Sequence, residues 1–123
     1  MMYNYRHFSH LYALGERFDM TFTDRYTPFD PVQQLDVHLS LGDMRNGKYL
    51  IRETILNRKS GSAFDQWVNM GALELDTDQE RNALAALSTP FCSKYTAEAK
   101  NHTLELDAML DMLEVRLITI EPC

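Results

Sequence analysis

The chain has 123 residues, of which 45% are hydrophobic, 24% charged and 11% aromatic. This length and composition suit one globular domain over residues 1–123, and they exclude two independent cores or a disordered chain. The 18 acidic and 12 basic residues give a formal charge of −6. That balance disfavours direct contact with nucleic acid, because such affinity comes mainly from Lys and Arg side chains that neutralise phosphates.

The sequence contains no apolar run close to the roughly 20 residues that span a bilayer. Its first residues also lack the layout of a secretory signal, so we expect no membrane partner. The two cysteines, Cys92 and Cys123, are too few for a disulfide scaffold and lack the spacing of metal ligands. They favour a reducing, cytoplasmic location, and we expect Cys92 to be a small buried thiol.

Aromatic residues crowd the start of the chain, where eight of the 13 fall within the first 29 positions. They are Tyr3, Tyr5, Phe8, Tyr12, Phe18, Phe22, Tyr26 and Phe29. Alternation of apolar and polar residues predicts strands at the start of this segment and over 18–23, with a short helical turn over 11–15 between them. The two prolines of segment 27–31 cannot donate to a sheet, so regular structure should end there.

The clearest strand signal covers residues 35–41, where four apolar residues alternate with polar ones. Residues 42–47 supply a turn that ends in Asn-Gly, and residues 48–56 are rich in Tyr, Ile and Leu. We therefore predict that segments 35–41 and 48–56 pair as a hairpin.

Two short helices are predicted next. Ser62 can cap the first, with Asp65 at the third position, and Gly71 can end it. Its apolar face carries Phe64, Trp67 and Val68.

Thr77 and Glu80 have the spacing of a capping box and predict the start of the second helix. We expect Leu84 and Leu87 to form its buried stripe. Strands are predicted over 91–99, 103–109 and 113–120. Six or seven strands joined by short connections, with two short helices, predict a mainly β protein with the fold of an antiparallel β-sandwich.

The sequence shows few signs of catalytic chemistry. His7 and His10 would point to opposite faces of an extended segment, so we expect no metal site. Phosphate loops, dinucleotide fingerprints and nucleophile elbows are absent, and we expect no cofactor. Two of the scattered acidic residues could meet and act as a glycosidase pair, but most should lie on the solvated surface.

Five aromatic residues remain as candidate site residues: Tyr3, Tyr5, Phe8, Tyr12 and Trp67. Their rings could pack in the core, form an interface with another domain, or stack on sugar rings. The position of Trp67 on a helix face with Phe64 and Val68 favours a role as a packing anchor.

The segment Asn-Arg-Lys-Ser-Gly-Ser-Ala-Phe-Asp-Gln-Trp-Val-Asn-Met-Gly, residues 57–71, resembles the C-terminal β-sandwich region of glycoside hydrolase family 39, the β-xylosidase family. The same region occurs in AraC-type transcription regulators that carry a family 39-like domain. Segments 3–8, 35–41, 47–49 and 114–118 resemble flanking features of that region and occur in the same order. Residues 16–32 and 91–111 match only in general pattern.

In that family the two catalytic glutamates lie on a preceding β/α barrel, which needs about 250 residues. No position of this chain matches their motifs, so the resemblance implies a non-catalytic accessory domain and no catalytic residue. It also implies that the chain is the C-terminal fragment of a larger protein, whose upstream barrel would cover the N-terminal aromatic residues. Without that barrel the exposed apolar surface should make the isolated domain dimerise or only modestly stable.

Three functions follow as hypotheses. The first is the accessory domain of a family 39-like enzyme or sugar-responsive regulator. The second is an independent carbohydrate-binding module, which requires at least two exposed aromatic rings that are coplanar enough to follow a sugar chain. The third is a free-standing enzyme, which requires two carboxylates about 5 to 9.5 Å apart in a cleft.

Overall fold

The structure is a computed structural model that describes residues 1–17, 19–29 and 33–123. It is mainly β, as predicted, and the described residues form six strands in two antiparallel sheets. The strands are β1 (Met2–Tyr3), β2 (Leu35–Leu41), β3 (Gly47–Leu56), β4 (Phe91–Ala99), β5 (Leu104–Leu110) and β6 (Val115–Pro122). The helices are α1 (His10–Ala13), α2 (Ala63–Asn69) and α3 (Asp78–Leu87).

The larger sheet has the strand order β1-β6-β3-β4, and the smaller sheet pairs β2 with β5. The core lies between the two sheets and is apolar. Ile51, Leu104 and Leu110 are its most completely buried members. Around Ile51 and Leu104 pack Tyr49, Ala99, Leu106, Leu39, Leu41, Ala97, Ile118 and Ile120.

The predicted hairpin between segments 35–41 and 48–56 is wrong, although both strands exist. β2 pairs instead with β5, and β3 pairs with β4 and β6. The Asn-Gly sequence does not form a hairpin turn, because the Asn46 side chain accepts a hydrogen bond from the His102 backbone N–H over 2.8 Å. The Met44 N–H donates to the His102 carbonyl over 3.0 Å. These bonds tie the segment between β2 and β3 to the turn between β4 and β5. Because β2 and β3 belong to different sheets, this segment connects the two sheets.

Strand predictions near the N-terminus were less accurate than those further along the chain. Residues 19–23 form no strand, because the Thr21 carbonyl accepts from the Asp24 N–H and turns the chain there. Phe18, Asp30 and Pro31 lie outside the described residues. The strands predicted over 91–99 and 103–109 are confirmed, and the last strand begins at Val115 because Leu113 has a positive φ of 59°.

Both predicted helix starts are confirmed. The Ser62 hydroxyl accepts from the Asp65 N–H, and Thr77 forms a complete capping box with Glu80. The expected burial of Leu87 is wrong: the residue is 53% exposed, whereas Leu84 is half-buried. Cys92 is also exposed, because it lies on the outward face of β4.

Candidate domain interface

Three of the five candidate aromatic residues are exposed: Tyr3 by 64%, Tyr5 by 63% and Phe8 by 53%. The core interpretation does not fit them. Buried Asn4 explains the first two, since its backbone pairs with Glu114 and Leu113 and its side chain donates to the Asp111 carbonyl over 3.1 Å. Because neighbours alternate in extended chain, an inward Asn4 turns Tyr3 and Tyr5 outward.

Phe8 belongs to an aromatic cluster at the surface. Its ring stacks on Phe29 at 5.0 Å between centroids and contacts Tyr12 at 4.9 Å. The backbone supports this arrangement, since the Ser9 N–H donates to the Pro28 carbonyl over 2.7 Å. Tyr12 lies in α1, whose first turn is capped by the Ser9 hydroxyl. This cluster is built within the N-terminal segment itself rather than against the sheets.

Trp67 belongs to a second aromatic cluster. Its half-buried ring meets Phe22 edge-on at 5.4 Å and lies 6.1 Å from Phe64. Its indole N–H donates to the Leu73 carbonyl over 2.8 Å. The guanidinium of Arg25 lies 4.9 Å from the Phe64 ring centre. Trp67 therefore anchors the N-terminal segment to α2, which agrees with the packing role predicted from its helix face.

A groove of about 380 Å³ joins the two aromatic clusters. It is lined by Phe8, Tyr12, Met20, Thr21, Phe22, Asp24, Arg25 and Pro28. Leu11 and Leu14 of the same segment are also exposed. A cluster of exposed apolar side chains such as this one is typical of sites that contact another protein or domain. We call this surface, comprising the exposed apolar side chains of residues 3–17 and 19–22, the N-terminal apolar face.

A buried carboxylate fastens this segment to the sandwich. Asp65 accepts at Oδ2 from the Tyr26 hydroxyl over 2.6 Å and from the Ser62 hydroxyl over 2.5 Å. Its Oδ1 accepts from Arg58 Nε over 3.1 Å. The Arg58 guanidinium also lies 3.6 Å from the centre of the Tyr26 ring, as in a cation–π pair. Arg58, Ser62 and Asp65 all belong to the segment that resembles family 39; Arg58 and Asp65 contact Tyr26, and Ser62 donates to Asp65.

These contacts fix the protonation of the cluster. Burial alone would raise the pKa of Asp65, but hydrogen bonds from Ser62, Tyr26 and Arg58 outweigh it and hold that pKa below its ordinary value. Burial and the hydrogen bond to Asp65 raise the pKa of Tyr26. At neutral pH, Asp65 is therefore an ionised acceptor and Tyr26 a neutral donor.

A second ion pair lies beside this cluster. Lys59 Nζ donates to Asp111 Oδ2 over 2.8 Å, which lowers the pKa of Asp111 and raises that of Lys59. Asp65 and Asp111 both line a groove of about 340 Å³. A glycosidase needs one carboxyl with a raised pKa as its general acid, whereas both of these have lowered values.

Sequence reasoning missed Tyr26, Arg58 and Asp65 as a set. The only local signal was the Ser62–Asp65 cap, because Tyr26 lies 39 positions before Asp65. In the ranges 1–17, 19–29 and 33–123 no group of three His, Cys, Asp or Glu residues could hold a metal ion. The spacing argument for His7 and His10 had a wrong premise, since His10 begins α1. Within the same ranges no helix is long and apolar enough to cross a membrane.

Comparison with known proteins gives matches among solved structures. The GH39 enzyme from Xanthomonas axonopodis pv. citri has a TM-score of 0.64 and 14% identity, over 89% of this chain and 22% of that enzyme. The monomeric β-xylosidase from Caulobacter crescentus CB15 has a TM-score of 0.64 and 20% identity, over 98% of this chain and 23% of that protein. No family model and no curated protein matches the chain.

Identities at this level establish the fold alone. The chain spans less than a quarter of the length of both glycosidases, while almost all of it superposes on them. The chain thus has the fold of one segment of GH39 enzymes.

Proposed function

We propose that this chain is a non-catalytic accessory β-sandwich domain of a larger glycoside hydrolase family 39-like protein, in which it packs against a β/α barrel. The observation that carries the proposal is the fold match, which covers 89% and 98% of this chain but only 22% and 23% of the two enzymes. The rest of such a protein would supply the catalytic residues. The larger protein is either a β-xylosidase or an AraC-type sugar-responsive regulator.

The N-terminal apolar face supports this proposal. Phe8, Leu11 and Leu14 are exposed on it, and burial against a barrel would remove that apolar area from water. The Tyr26–Asp65 bond fastens the chain just after this face to α2. The net charge of −6 suits a domain that does not itself contact DNA.

The coding sequence upstream of the Met1 codon tests this proposal directly. We expect an open reading frame that continues into a βα-repeating barrel, and a helix-turn-helix further upstream would identify a regulator. A stop codon and a ribosome-binding site just before Met1 would overturn the proposal.

A binding experiment tests the surface itself. The barrel, produced separately, should bind this domain in calorimetry, and Phe8→Ser together with Leu11→Ser should weaken that binding. Leu73→Ser is the matched control, since Leu73 is an exposed leucine outside the N-terminal apolar face. Equal binding by all three proteins would show that the face is not the interface.

The exposure of Tyr3 and Tyr5 favours a second candidate function, carbohydrate binding. Both rings are more than half exposed and lie two positions apart, so they could stack on successive sugar units. Retardation in a native gel containing xylan tests this function. Tyr3→Ala and Tyr5→Ala should each reduce the retardation, and a wild-type protein that migrates equally with and without xylan contradicts it.

A further inference from the structure

β4 forms an edge of the larger sheet. It has nine residues, Phe91–Ala99, and pairs with β3 along one side only. No other strand in the described part of the chain pairs with its second side. An edge strand of this length offers a row of backbone donors and acceptors to another strand. Six of its nine residues are exposed: Phe91, Cys92, Lys94, Tyr95, Thr96 and Glu98.

The position of Lys94 on this edge strand is electrostatically unfavourable. In the register of β3 and β4 it lies directly opposite Arg52, and like charges at directly opposed positions destabilise a sheet. Arg52 already forms an ion pair with Glu121 on its other side. The Lys94 side chain, by contrast, forms no ion pair or hydrogen bond within the described part of the chain, although the Lys94 backbone is part of the ladder with β3. The open side of β4 is therefore where a carboxylate would be most favourable.

The same strand carries that carboxylate. Glu98 is exposed and lies four positions after Lys94, on the same face of the sheet. It lies opposite Lys48 of β3 and forms an ion pair with Lys100 over 3.2 Å, but that pair is solvent-exposed and such pairs contribute little to stability. If β4 pairs antiparallel with β4 of a second copy about an axis at Thr96, Lys94 of each copy lies opposite Glu98 of the other. Both ion pairs then form at once. Shifting the axis to Tyr95 or Ala97 separates both pairs.

The remaining residues suit the same register. Thr96 meets its own copy on the axis, and Thr–Thr pairs are favourable across antiparallel strands. On the opposite face Tyr95 lies across from Ala97, so a large ring meets a small side chain. The Tyr95 hydroxyl donates to Glu53 over 3.1 Å, which holds the ring in place within each copy.

We propose that β4 is the pairing strand of a two-fold homodimer, in which Lys94 of each copy faces Glu98 of the other and the two larger sheets join into one. This interface is separate from the N-terminal apolar face and so does not depend on the proposed function. Its occupant is a second copy of this chain, because the charge pattern of β4 is complementary to itself.

Charge reversal tests the pairing. Sedimentation velocity of the wild-type chain should show a dimer whose fraction increases with concentration. Lys94→Glu and Glu98→Lys should each be monomeric, because each places like charges opposite one another twice. An equimolar mixture of the two variants should dimerise, since the acidic pair of one protomer then faces the lysine pair of the other.

Each contrary result overturns the proposal: a wild-type chain that is monomeric throughout, single variants that dimerise like the wild type, or a mixture that stays monomeric. Dimers that survive both charge reversals would instead point to the N-terminal apolar face. Unchanged circular dichroism of the variants shows that they fold.

Cross-linking tests the register. In a chain carrying Cys92→Ser and Cys123→Ser, the further change Thr96→Cys places one thiol on the proposed axis. Mild oxidation should then give a covalent dimer. Thr119→Cys is the matched control, because Thr119 is an exposed threonine on β6, away from the β4 edge. Equal cross-linking of the two variants, or none with Thr96→Cys, overturns the register.

Discussion

The Tyr26 hydroxyl donates to Asp65 Oδ2 over 2.6 Å, and the two residues lie 39 positions apart in the chain. This bond joins the N-terminal segment to the first turn of α2. The same carboxylate accepts from Arg58, whose guanidinium packs on the Tyr26 ring. One ionised group thus holds three separate pieces of chain together, and it forms a polar link between the N-terminal segment and α2.

Removing the Tyr26 hydroxyl should destabilise this link. Tyr26→Phe keeps the ring under Arg58 but deletes a hydrogen bond to a charged acceptor, which contributes about 1.5–3 kcal/mol. We expect the free energy of unfolding in urea to fall by about that amount. Tyr3→Phe is the control, because the Tyr3 ring is exposed and should tolerate the change. Equal effects of the two substitutions would contradict the role assigned to Tyr26.

The local parts of this fold could be predicted from sequence, whereas its long-range pairings could not. The capping contacts Ser62–Asp65 and Thr77–Glu80 depend on a spacing of three residues, so the sequence displays them directly. Alternation likewise revealed β2. It could not reveal that β2 pairs with β5, because alternation shows which face of a strand is buried but not which strand is its partner.

In the candidate site, too, local features could be predicted from the sequence and long-range contacts could not. Aromatic crowding was visible in the sequence, but the exposure of Tyr3 and Tyr5 depends on Asn4, which donates to the Leu110 and Asp111 carbonyls more than 100 positions away. The Tyr26–Asp65 bond depends on the path of the intervening chain. Neither relationship has a local spacing that a reader of the sequence could recognise.

Gly61 should be difficult to replace. Its φ is +88°, and a Cβ built there overlaps Leu56 Cδ1. Gly61→Ala should therefore lose about 1–2 kcal/mol of stability from the left-handed backbone alone, and more if Leu56 cannot move aside. Gly42→Ala is the matched control, because a Cβ there meets nothing within 4 Å. We expect the Gly42 variant to unfold at the wild-type urea concentration and the Gly61 variant well below it.

Acid should weaken the Asp65 cluster. Hydrogen bonds hold the pKa of Asp65 below its ordinary value despite burial, so the folded protein binds this proton more weakly than the unfolded chain does. The resulting stability is complete well above the ordinary carboxyl pKa of about 4, and it is lost as the pH falls through the lower folded-state value. We expect Asp65→Asn to be less stable than the wild type at neutral pH.

The difference in free energy of unfolding between the wild type and Asp65→Asn should shrink as the solution is acidified, because protonation of Asp65 gives the wild type a neutral side chain as well. Urea unfolding of both proteins at a series of pH values measures this difference. Asp19→Asn, at an exposed carboxyl, should track the wild type throughout. A difference between Asp65→Asn and the wild type that stays constant with pH would contradict the assignment to Asp65.

A buried network of charged residues lies on the larger sheet, and substitutions in it should lower the free energy of unfolding more than substitutions in a surface ion pair. Glu114 is 2% exposed and accepts from Arg116 Nη2 over 2.6 Å, while Arg116 Nη1 lies 3.6 Å from a carboxylate oxygen of Glu53. Removing one member of a buried network leaves the others uncompensated, which costs about 3–5 kcal/mol. Arg116→Met should therefore unfold at far lower urea than the wild type, or fail to fold.

Two comparisons isolate the electrostatic part of that loss. Arg52→Met removes an arginine whose ion pair with Glu121 is solvent-exposed, and such pairs contribute about 0–1 kcal/mol. Adding Glu53→Gln and Glu114→Gln to Arg116→Met removes the stranded charges and should restore part of the stability. If the triple variant is no more stable than Arg116→Met alone, the loss comes from packing of the arginine side chain and not from its charge. Equal losses for Arg52→Met and Arg116→Met would contradict the distinction between buried and exposed pairs on this sheet.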